Sequence, residues 1–133
     1  MTVICDWYSQ TTLIIGFRYT GNWTIEECET ANLTLWEVVE PIKDRYDVIV
    51  DLSEASYTLP VGILWHWKQQ MSFNDTKFAN WGINVYVTRN EIYEAYLQEG
   101  IETSEAVRKH CRIAKSVAEA MEIIQQDRQG SEV

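Results

Sequence analysis

Residues 47–67 read DVIVDLSEASYTLPVGILWHW, and the reading of this stretch decides the fold. DVIVDL (47–52) is a short apolar run flanked by acids, the pattern of a strand buried on both faces. Mostly small or polar residues follow, and Leu59-Pro60-Val61-Gly62 leads into a second apolar run with helical spacing. In that run Ile63, Leu64, Trp67 and Met71 share one side. A buried strand that turns into an amphipathic helix belongs to a sheet built from strand-helix-strand units.

Working outward, VICDWY (3–8) and TLIIGFRY (12–19) are β-rich and separated by Ser9-Gln10-Thr11, which predicts an antiparallel hairpin closed by Thr20-Gly21-Asn22. Thr24 with Glu27 forms a capping box, and the helix it opens carries Ile25, Cys28, Leu35, Val39 and Ile42 on one face. Pro41 falls late in this helix and bends or shortens its last turn. A second helix is expected from about Pro60 to Met71, then a buried strand at INVYV (83–87). Asn90 caps a third helix bearing Ile92, Tyr93, Tyr96 and Leu97, and a short strand follows at 111–114. Ser116 with Glu119 is a second capping box, opening a last helix with Val117, Met121 and Ile124 inward. The predicted order is ββαβαβαβα: an α/β protein with a mixed sheet, its later strands parallel, covered by about four helices. Residues 1–127 form a single domain in this reading, and 128–133 a polar C-terminal tail.

Composition narrows the function classes. With 133 residues, 46% of them hydrophobic, the chain suits one domain with a sizeable core. The net charge of -9, with Lys and Arg scattered along the chain, opposes binding to nucleic acid. Cys5, Cys28 and Cys111 are widely spaced and form no CxxC, which suits free thiols in a reducing cytosol. No leader peptide and no apolar run of membrane-spanning length is present, so a soluble cytoplasmic protein is expected.

In sheets of this kind ligands and partners gather at the carboxyl ends of the parallel strands. Those ends comprise Thr20–Trp23, Asp51–Pro60 and Thr88–Asn90, and Asp51, Ser53, Ser56 and Thr58 supply polar groups there. The same residue types also serve as ordinary turn and cap chemistry. Asp51 lacks a His, Lys or second acid at a spacing that forces a catalytic dyad. His66 and His110 belong to no metal or catalytic pattern, and no GxGxxG, P-loop or GxSxG occurs. No metal, cofactor or catalytic residue is therefore assigned. Trp65 and Trp67 lie two apart on a helix and cannot share a face. If Trp67 packs inward, Trp65 is left toward solvent, where with Tyr57 it extends an aromatic surface.

With its predicted order, DLSEASYTLPVGILWHW resembles the signature of STAS domains, the family of the bacterial anti-sigma-factor antagonists (SpoIIAA-like) and of the cytoplasmic tails of sulfate transporters. The family's junction runs Asp-Leu-Ser, a few residues, then Asp-Ser-Ser-Gly-Leu. Asp51-Leu52-Ser53 matches the first part and Gly62-Ile63 the Gly-Leu, whereas Leu59-Pro60-Val61 stands in place of Asp-Ser-Ser. The resemblance implies that a partner kinase would act on the first of those serines, and Pro60 occupies it. A divergent member without the phosphoserine is thus implied, with Pro60 serving at the first helical turn.

These readings predict a non-enzymatic, STAS-like binding or regulatory module of the bacterial cytosol, acting by protein-protein contact. The residues expected to meet the partner are Asp51, Ser53, Ser56, Tyr57, Thr58, Pro60 and Trp65. A weak homodimer through the exposed aromatic surface is also expected. The alternative is a small-molecule or lipid-binding module with an apolar pocket beneath the helices.

Overall fold

A computed structural model describes residues 2–131 of the chain. Strands β1 (Val3–Ser9) and β2 (Ile14–Gly21) form the predicted hairpin, followed by α1 (Ile25–Val39), β3 (Tyr46–Ala55), α2 (Ile63–Lys77) and β4 (Trp81–Val87). Then come α3 (Glu91–Thr103), α4 (Glu105–His110), β5 (Cys111–Ala114) and α5 (Val117–Ser131). The order contains one more helix than the sequence reading, the short α4.

The five strands lie across the sheet in chain order. β1 runs antiparallel to β2, and β2, β3, β4 and β5 are parallel. Register aligns Cys5, Phe17, Val50, Tyr86 and Ile113 in one row across one face. The three crossovers step the same way across the sheet, and the helices they carry fall on one side, as crossovers of a single hand require. That side holds the larger core, where Cys28, Ala31, Leu35 and Val39 of α1, Met71 of α2, Tyr93 and Leu97 of α3, and Val107 of α4 are buried. α5 returns on the other side and packs Ala120 and Ile124 on Ile14, Ile49, Ile83 and Val85. Both faces of β3 and β4 are covered, as their unbroken apolar runs predict.

Local chemistry explains the element ends. Thr24 accepts a hydrogen bond from the Glu27 amide at 3.2 Å, the first half of the capping box. The Glu27 carboxylate turns instead to the amide of Thr2 at 3.2 Å, tying α1 to the start of β1. Ser116 likewise caps the Glu119 amide at 3.1 Å, while Glu119 accepts from the Lys115 amide. Pro41 does not bend α1: the helix ends at Val39, capped by Glu40, so the proline lies outside it. Ser104 closes α3 and opens α4, donating its amide to Gly100 and accepting from that of Val107.

Two expectations are corrected. Helix α2 begins at Ile63, not near Pro60, and its N-cap is Gly62 at φ +82°, with no side-chain cap. Pro60 sits ahead of the helix, in a turn closed by the Ile63 amide on the Pro60 carbonyl at 3.2 Å. It is therefore not the first helical residue, because the chain must pass through the left-handed conformation at Gly62 before the helix can start. Residues 128–131 continue α5 rather than forming a separate tail, and residues 132–133 lie outside the described part.

The reason α5 extends so far is a buried carboxylate. Asp47, 0% exposed, faces α5 from β3. It accepts from Arg128 Nε at 2.6 Å, a terminal guanidinium nitrogen of Arg45 at 2.9 Å, and the Ile83 amide at 2.7 Å. Arg128 also donates to the carbonyls of Thr12 and Leu13, and Arg45 bridges to Asp127 at 2.7 Å. A charge inside a sheet-helix seam is tolerable only with this density of partners.

Candidate functional site

The loop after β3 carries most of the sequence-predicted site, and the structure disperses it. Asp51, half-buried, accepts from the amide and hydroxyl of Ser53 at 3.0 and 2.6 Å. Its side chain lies on the α5 side of the sheet, beside Arg18 in a groove with Asp6 and Trp7. Ser53 and Tyr57 line a different recess with Arg89, Asn90 and Lys115. Thr58 and Pro60 line a third, against Asn22, Trp23 and Glu26. Ser56 is fixed by its backbone: its amide donates to Gly21 at 2.8 Å and its carbonyl accepts from the Tyr93 hydroxyl at 2.7 Å. Its hydroxyl takes the Thr58 amide at 3.3 Å, a local turn bond. The polar residues thus behave largely as turn chemistry and do not converge on one point. Among the described residues, no three His, Cys, Asp or Glu side chains converge as a metal site.

Three large apolar side chains do share this junction in the open. Tyr57 is 75% exposed, Val61 98% and Trp65 70%. Trp65 points outward as the spacing predicts, and Val61 lies ahead of the helix start, on the far side of Gly62.

Beneath the same helix lies a cavity that sequence reasoning placed only in general terms. The expected inward residues Ile63, Leu64 and Trp67 are not fully buried, and in α2 only Met71 and Asn74 are. The first two turns of α2 stand off the sheet over an apolar cavity of about 80 Å³. A second cavity of about 70 Å³ shares Tyr19, Val50, Trp67, Gln70 and Tyr86 as walls. Trp67 props the helix open: its indole donates to the Tyr86 hydroxyl at 2.7 Å, with the rings edge to face at 5.5 Å. Its far edge rests on Gly100 of α3, where a Cβ would collide with the ring. At the other end Trp23 donates to the Tyr93 hydroxyl at 2.9 Å and meets Tyr19 edge to face. Burial pushes the Tyr19 and Tyr86 hydroxyls well above the usual phenol range, so both remain neutral. The Cys28 thiol, which donates to the Tyr19 hydroxyl at 3.3 Å, is pushed up to about 11 by burial.

His66 lines this cavity. Its Nδ1 lies 3.8 Å from Glu29 Oε1, while its Nε2 is buried without a hydrogen-bond partner. The sequence signalled His66 only as a histidine between two tryptophans. His110, which belongs to no metal or catalytic pattern in the sequence, is 3% exposed. It stacks on Trp81 at 3.6 Å and joins Asp75 at 2.6 Å and the Gly82 carbonyl at 2.7 Å. No local pattern could reveal that pairing, since Asp75 lies 35 residues away.

A sheet with strands in chain order, three helical crossovers on one side and a last helix on the other is recognisable among solved structures. The crystal structure of an uncharacterized protein of the DUF3478 family from Shewanella loihica PV-4, with a SpoIIAA-like fold, matches this chain with a TM-score of 0.60 over 90% of each chain. This fold is SpoIIAA-like. Identity between the two is 13%, so the likeness is one of fold. No protein-family model matches the sequence, and neither does any curated protein. Within this fold the junction at 51–63 carries the chain from β3 to α2, and Pro60 in it has no side-chain hydroxyl. Among the described residues, no helix is long and apolar enough to cross a membrane.

Proposed function

We propose that this chain is a non-enzymatic binding module that works by protein contact at the loop after β3 and the outer side of α2. The observation that carries this reading is the exposure of Tyr57, Val61 and Trp65 at a single strand-to-helix junction. Large apolar side chains left together in water mark interaction surfaces, and Trp and Tyr are frequent interface anchors. Control by phosphorylation at the family's usual position is absent from this reading, since Leu59, Pro60 and Val61 carry no acceptor. The surface also supports a weak homodimer, favoured by moderate salt that screens the net charge of -9.

A photo-crosslinking residue at position 65, with a control at Gln129 on the exposed side of α5, tests the reading in cells. Discrete adducts at 65 that are absent at 129 support it, and the same pattern at both positions refutes it. Sedimentation velocity on wild type and Trp65→Ala tests the homodimer. Wild type that stays monomeric at high concentration removes self-association from the proposal.

The cavity beneath α2 favours a second reading, in which the module holds a small apolar molecule or a lipid.

A further inference from the structure

We propose that the recess at the carboxyl ends of β3, β4 and β5 binds a small organic monocarboxylate, its anion held by Arg89 and its apolar part lying against Tyr57. The site is separate from the cavity beneath α2, and the inference goes beyond the protein-contact reading.

Position and size set the first limit. Ala55 ends β3, Thr88 follows the last residue of β4, and Lys115 follows the last of β5. All three line one recess of about 210 Å³. Ligands of parallel sheets gather at this end. Benzene occupies a protein cavity of roughly 150 Å³, so a single ring with a carboxylate attached suits the space.

The lining presents protons. Thr88 is 1% exposed. Its hydroxyl accepts from the Asn90 amide at 3.1 Å and donates to no group among the described residues, whereas native interiors pair buried polar groups. The Asn90 side-chain oxygen accepts from the Ile92 amide at 2.8 Å, which leaves its amino group to donate. Arg89, in the same wall, has no hydrogen-bond or ion-pair partner among the described residues, and a guanidinium only donates. Ser53 differs, directing its proton to Asp51 at 2.6 Å.

Charge then selects a monoanion. Glu94 lies 3.5 Å from the Lys115 ammonium, so Arg89 supplies the unmatched positive charge. A carboxylate takes two parallel bonds from one guanidinium. A phosphate dianion brings a further charge that the net -9 of the chain opposes. Tyr57, 75% exposed, lines the same recess and gives the ligand's apolar part a ring to cover.

Amide NMR of the full chain titrated with benzoate, benzamide and acetate tests the proposal. Benzoate should shift the amides of Thr88, Arg89, Asn90 and Lys115, and bind roughly tenfold more tightly than uncharged benzamide. Arg89→Gln should lose roughly tenfold in benzoate affinity, whereas Lys43→Gln, an exposed cation elsewhere, should lose none. Should Arg89→Gln not fold, the benzoate–benzamide comparison on wild type decides alone. No shift at these amides, equal binding of benzoate and benzamide, or equal losses in the two variants overturns the carboxylate site. Acetate binding as tightly as benzoate overturns the organic ligand, and assigns the recess to any carboxylate, a protein's acidic side chain included.

Discussion

Replacing Asp47 with alanine tests how much of the fold rests on the seam between α5 and the sheet. The substitution removes the acceptor of the buried Ile83 amide, and an unpaired buried amide costs about 1–3 kcal/mol. It also strips a carboxylate from two guanidinium groups, and breaking a buried ion pair costs about 3–5 kcal/mol in general. Here the cationic partners soften the loss. The Arg45 and Arg128 side chains are 26% and 27% exposed. Arg45 keeps Asp127, and Arg128 keeps the carbonyls of Thr12 and Leu13. The expected loss is therefore near the lower end, about 3 kcal/mol, or roughly 10 °C in Tm for a domain of this size. Asp47→Asn preserves an acceptor for Ile83 and should lose about half as much. Urea unfolding at neutral pH, followed by far- and near-UV circular dichroism, measures both. A loss below about 0.5 kcal/mol for Asp47→Ala, the scatter of ordinary surface changes, would refute the argument that this carboxylate holds α5 in place.

Val50→Asp should cost several kcal/mol, since it buries an unpaired charge in the doubly covered strand β3; a thermal melt indistinguishable from wild type contradicts the strand assignment. Gly100→Ala should destabilise by about 1–3 kcal/mol through overpacking against Trp67, and a loss of Trp67 fluorescence shift without any change in stability would argue against that wedge. The His110 ring, and after it Lys109, hold the Asp75 carboxyl below the usual carboxylate range. Its stabilisation is then present above the unfolded value of about 3.9 and lost as pH falls through the lower folded value. The gap in urea midpoint between wild type and Asp75→Asn should be full at pH 5 to 7 and shrink below about pH 4. A gap that stays constant to pH 3 rules out the His110–Asp75 contact as its source.

Where the fold was legible in the sequence, the signal was local. The runs 47–52 and 83–87 announce central strands because both of their faces are covered, and Thr24, Asn90 and Ser116 announce helix starts by bonding the amides just ahead. The start of α2 was misread because Pro60 is acceptable in a first helical turn and in the preceding loop alike, and only the backbone at Gly62 separates them. Helix α4 was missed because Ser104 ends one helix and caps the next with no loop between. The candidate site was less legible than the fold. Trp65 follows from helical spacing against an assumed core, whereas the cavity depends on α2 standing off the sheet. That stand-off is set by Trp67 meeting Gly100 and Tyr86, far away in sequence. Asp47 reads as a strand-flanking acid, and its burial follows from Arg128, 81 residues later.

The arrangement of strands in chain order has a consequence for how the molecule assembles. Every strand after the first pairs with the one made just before it, so the sheet can grow outward from the hairpin, with a helical crossover closing at each parallel pairing. α5 then reaches back, from Arg128 to Thr12 across 116 residues. Until that helix docks, Ile14, Ile49, Ile83 and Val85 form a bare apolar face on an otherwise finished sheet. A chain whose sheet closes before α5 docks exposes that face, and the pairing of Arg128 with Asp47 holds the helix over it.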